Sequence, residues 1–63
     1  MDESDIRNTA ELLLKADPAR AAAAAAQRAN EAEAEGDIER TGYWQRVVLV
    51  IHELARLRPK DWA

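Results

Sequence analysis

His52 is the single imidazole in this sequence, the side-chain type that most often serves as a general acid or base. A general base needs a nucleophile or a substrate proton within reach, and a triad needs serine or cysteine with an orienting acid. The one serine, Ser4, lies near the start of the chain, and there is no cysteine. Leu49 stands three residues before His52, where the Glu-x-x-His pattern of di-iron bundles needs glutamate. A His-Glu-x-x-His zinc motif needs a second histidine. His52 is therefore expected to be structural or solvated. No catalytic, cofactor-binding or metal-ligating residue is assigned, and the chain is read as not an enzyme.

The other charged groupings also favour a solvated surface. Glu31, Glu33, Glu35, Asp37 and Glu39 crowd together, but helical geometry splits them between faces and no oxygen-rich calcium loop surrounds them. They are expected to form a solvated turn whose negative charge suits the start of the next helix. Arg40, Arg46, Arg56, Arg58 and Lys60 scatter around a helical wheel, whereas a phosphate-reading surface clusters its bases. The formal net charge of -3 points the same way, and nucleic acid is not an expected partner. The spacing of Ala32 and Gly36 fits the turn of a helix-turn-helix motif, but Gly42 stands where that motif buries an aliphatic residue.

The elements behind these residues are helices. The two glycines are Gly36 and Gly42, the two prolines are Pro18 and Pro59, and strand-type alternation is absent. The reading is one all-α domain over residues 1–63, with helices at about 5–16, 18–35 and 38–58 and a tail at 59–63. Ser4 or Asp5 is the expected first cap. Asp17-Pro18 reads as cap and first helical residue, and the junction is either a break or a sharp bend. Gly36 ends the second helix in a left-handed cap, and Asp37 caps the third. So short a connection predicts an antiparallel helical hairpin with an added N-terminal helix, a three-helix unit.

Apolar bulk is unevenly spread. The second helix holds nothing larger than alanine, and Ala22, Ala25, Ala29, Ala32 and then Gly36 recur at helical spacing as a small face for close packing. Gly42 is read as a further point of close helix approach. The third helix is the hydrophobic centre. Trp44, Val48, Ile51 and Ala55 form one stripe, with Tyr43, Val47, Val50, Leu54 and Leu57 beside it. The two cover roughly half the circumference, more than one alanine helix covers. Tyr43, Trp44, Val47, Val50, Ile51, Leu54 and Leu57 are thus interface or core. Leu49 falls outside both stripes and is expected to be partly exposed or in an interface. Trp62 either folds back or docks on a partner.

Residues 1–39 carry ten acids against four bases, and residues 40–63 carry two against five. An acidic alanine helix lying against a basic-ended one is electrostatically consistent. No basic and apolar leader stands at the start, and no apolar run reaches the ~20 residues that span a bilayer, so the expectation is a cytoplasmic protein without membrane contact.

The stretch from Ala29 through Gly36-Asp37, followed by Tyr43-Trp44 and Val47-Val48, resembles one helix pair of a tetratricopeptide repeat. It departs from that pattern at Thr41, where alanine is expected, and at Pro59, which comes late; no second copy follows. The order Gly-Asp, Trp, Val, Ile, Leu is also similar to small helical proteins encoded in alphaproteobacterial genomes. Both resemblances imply a helical fold and carry no activity or functional residue with them.

The expected function is that of a non-enzymatic interaction module, a homodimer formed through the third helix. The alternative is a small regulator that binds one larger heterologous protein, such as a transcription, toxin or phage-defence component.

Overall fold

The computed structural model describes residues 3–57, and these form three helices: α1 (Glu3–Ala16), α2 (Ala21–Ala34) and α3 (Ile38–Leu57). No strand occurs among the described residues, so the fold is all-α. The expectations for Pro59, the tail and Trp62 lie outside them.

α1 opens with Glu3 and Asp5 in its first turn and closes with Lys15 in its last, charges that suit the two ends of the helix dipole. Because the helix already runs at Glu3, Ser4 and Asp5 are first-turn residues and not its cap. Ile6, Ala10 and Leu14 recur at four-residue spacing and are the buried face.

Asp17 does not cap α2 as the sequence suggested. The Asp17 amide donates to the Leu13 carbonyl at 3.0 Å and closes α1, and the Arg20 amide donates to the Asp17 carbonyl at 3.1 Å. Asp followed by Pro is also the signature of the first two positions of a β-turn, and here the turn prevails over the helix start. α2 begins three residues late, at Ala21, with Arg20 as a cap that makes no side-chain bond.

The end of α2 follows its sequence signal. Gly36 has φ +76°, its amide donates to Glu33 O at 3.0 Å, and the Asp37 amide donates to Ala32 O at 2.9 Å. These two bonds make a Schellman cap. Asp37 then starts α3 by accepting the Arg40 amide on Oδ1 at 3.0 Å. No Cβ-sized obstacle lies within 4 Å of Gly36, so glycine is required there by its dihedral angle and not by space.

Packing is centred on α3. It shares its largest interface with α2 and a smaller one with α1, while α1 and α2 touch least. The core joins Ile6, Ala10 and Leu14 of α1, Ala21 and Ala25 of α2, and Val47, Ile51 and Leu54 of α3. Ala29 and Ala32 continue the buried face of α2. The small face therefore runs through Ala21, not Ala22, which is only half-buried, and Gly36 lies outside it, exposed. Val47 is the one large side chain that is wholly buried among the described residues.

Two contrasts follow. Ala25→Leu must force a larger side chain into a fully covered site and is expected to cost about 1–3 kcal/mol, whereas Ala23→Leu on the exposed side should change stability by less than about 0.5 kcal/mol. Gly36→Ala should lose about 1–2 kcal/mol to its left-handed backbone. Gly42→Ala, in a helix interior with open space around it, should gain up to about 1 kcal/mol. Urea midpoints read by circular dichroism check all four.

Candidate functional site

The most connected part of the surface gathers around Tyr43, Trp44 and Arg46 near the middle of α3. The Tyr43 hydroxyl and Thr9 Oγ1 of α1 share a hydrogen bond of 2.6 Å across the helix pair. The Tyr43 and Trp44 rings meet edge to face, with centroids 5.2 Å apart at 88°. The Arg28 guanidinium of α2 lies 5.3 Å from the Trp44 ring centroid, a cation–π contact. Arg46 donates from Nη2 to both carboxylate oxygens of Glu3, at 3.0 and 2.9 Å. Both side chains of that ion pair are more than half exposed, so its contribution is small. Tyr43 and Trp44 are each half-buried. They fill the margin that the alanines of α2 leave open, with faces and edges already engaged within the chain.

These contacts were not legible in the sequence residue by residue. Arg28 and Trp44 stand equally far from Gly36, so a chain that doubles back there brings them level. That symmetry was the available signal for the cation–π pair. Nothing comparable pointed to Thr9 or Glu3.

The acidic group at the α2–α3 connection is divided in the structure. Arg40 Nη1 binds Glu35 Oε1 at 3.1 Å and lies 3.9 Å from Asp37 Oδ2, while Asp37 also caps α3. Glu31, Glu33 and Glu39 are exposed. No group of three or more His, Cys, Asp or Glu among the described residues is arranged to hold a metal ion. His52 is exposed on α3. Of the basic set, Arg40 and Arg46 are engaged with carboxylates, Arg56 is exposed, and Arg58 and Lys60 lie outside the described residues. No helix among the described residues is long and apolar enough to cross a membrane.

The apolar residues of α3 separate into three groups. Val47, Ile51 and Leu54 are core. Tyr43, Trp44, Val48 and Val50 are half-buried around it. Leu57 is 76% exposed, so it is not part of the core. Ile38, 84% exposed, and Leu49, 60% exposed, stand on the opposite, outward side of the helix. Gly42 is on that side too, and a Cβ built on it would meet nothing within 4 Å. The close helix approach expected at Gly42 is therefore not made by α1 or α2. Instead a shallow hollow opens there, lined by Glu33, Gly36, Asp37, Ile38, Thr41, Gly42 and Gln45.

Removing the Tyr43 hydroxyl tests the link between α1 and α3. Tyr43→Phe and Thr9→Val should each lower stability by about 0.5–1.5 kcal/mol, and the double variant should lose less than the sum, as expected for two partners in one bond. Additive losses in chemical denaturation would show that the bond contributes nothing.

No protein-family model, no curated protein and no solved structure matches this chain.

Proposed function

We propose that this chain is a non-enzymatic helical interaction module, an antiparallel α2–α3 hairpin carrying α1, that associates with a second copy of itself through α3. One observation carries the reading. Of the four large apolar side chains exposed among the described residues, three, Ile38, Leu49 and Leu57, belong to α3. The apolar side chains that α2 offers that helix are all alanine, and α1 covers a second sector, so one sector of α3 remains uncovered. Domains of this size are marginal alone, and without cysteine the remaining ways to gain stability are better helix packing and oligomerisation. Association through the uncovered sector supplies the second.

Sedimentation equilibrium over a concentration series tests this directly. The mass should rise from monomer toward dimer with a dissociation constant on the order of micromolar, the range of small interfaces. The urea midpoint should rise with protein concentration in step, because dimerisation is linked to folding. A mass that stays monomeric at high micromolar concentration would overturn the proposal and redirect the search to a heterologous partner.

A further inference from the structure

The outward side of α3 has a shape and charge order that match its own reverse. Positions 38, 42, 45, 49 and 56 fall on one side of the helix, and they hold Ile38, Gly42, Gln45, Leu49 and Arg56. Along this stripe a hollow lies at Gly42 and an exposed apolar knob at Leu49, with two helical turns between them. The acids Glu33 and Asp37 rim the hollow end, and Arg56 marks the other. The side chains of Glu33, Glu39 and Arg56 make no ion pair or hydrogen bond among the described residues. Two such stripes laid antiparallel place each Leu49 over the other copy's Gly42 and each Arg56 beside the other copy's acids. A parallel arrangement would instead set Leu49 against Leu49, leave both hollows empty and bring like charges together.

We infer that the self-association surface is this outward stripe, and that its occupant is a second copy of the chain, docked antiparallel with the Leu49 side chain of each copy seated in the Gly42 hollow of the other. The arrangement is isologous, so one twofold axis near Gln45–Arg46 satisfies both contacts at once. The seam from Ile38 to Arg56 runs about 27 Å at the α-helical rise. Other exposed apolar residues lack such a counterpart. Leu12 stands among Asn8, Glu11 and Lys15 on α1, and Leu57 is the last described residue of α3. The inference rests on the proposed self-association and assigns it a surface, an orientation and a partner residue for each contact.

Sedimentation equilibrium of the 63-residue chain and four variants tests it. Leu49→Glu removes the knob at an exposed position. Gly42→Gln fills the hollow and improves helix propensity, so it should fold at least as well as the parent. Each is expected to weaken the dimer by at least about tenfold, as loss of a central contact does, with an unchanged helical circular-dichroism spectrum. Arg56→Glu should weaken it less, and adding Glu33→Arg to Arg56→Glu should recover most of that loss, since the charges are then exchanged within each antiparallel pair. If the parent is monomeric throughout, self-association itself fails. If the parent dimerises and both Leu49→Glu and Gly42→Gln still do so, self-association stands and the assigned seam is wrong. If those two variants fail to dimerise but the double charge reversal restores nothing, the antiparallel register is overturned.

Discussion

The geometry of this protein depends on the contact between an alanine face and a long apolar helix. Alanine side chains let two helices approach near the ~8 Å lower limit of helix packing, where backbone proximity replaces side-chain interdigitation. Ala21, Ala25, Ala29 and Ala32 present that face along the whole of α2. The consequence is a thin core. Val47 is the one large side chain wholly enclosed among the described residues, and the rest of the interior is made of alanine and of aliphatic groups from α1 and α3. A flat neighbour also covers a narrow sector. Whatever the alanines do not reach must be covered by α1, by aromatic rings or by another molecule.

The aromatic pair resolves part of that deficit. Tyr43 and Trp44 are half-buried beside the core of α3, where the Tyr43 hydroxyl finds a partner on α1 and the Trp44 ring finds one on α2. Arg46 adds a further reach to α1 through Glu3. A short segment of α3 thus touches α1 through two polar contacts and α2 through one. Each is modest in energy, yet together they fix how the outer helices sit around the central one, which smooth alanine surfaces specify poorly.

Much of this architecture was legible in the sequence, and the parts that were not have identifiable causes. Gly36 and Asp37 predicted a cap, a turn and a new helix, because a left-handed residue and an Asx cap have strong local chemistry. Val47, Ile51 and Leu54 of the helical stripe of α3 are buried, since periodicity reports which side of a helix is apolar. It could not say how far burial extends around the helix, and Leu57 proved exposed. Asp17-Pro18 misled because the same dipeptide opens helices and β-turns, and only the path of the chain decides between them. Of the small face, Ala25, Ala29 and Ala32 are buried, and at its start Ala21 is more deeply covered than Ala22, a distinction the uniform run from Ala21 to Ala26 does not reveal. Thr9–Tyr43 and Glu3–Arg46 join residues far apart in sequence, and such pairs leave no local trace.

The alanine run has a consequence for how the second helix holds its rotation. From Ala21 to Ala26 every position carries the same side chain, so turning this half of α2 by one residue presents the core with an identical surface. Nothing in that half distinguishes the correct angular setting from the adjacent ones. The setting comes from the other half, where Arg28, Asn30, Glu31 and Glu33 would have to enter the interior if the helix turned, and where Gly36 clamps the end. α2 therefore behaves like a smooth shaft keyed at one end. Gain of a single alanine in the smooth part would leave the lining of the core chemically unchanged, whereas loss of one would bring Arg20 to the buried position of Ala21; either would shift where the shaft meets the Asp17–Arg20 turn by about 1.5 Å and 100°.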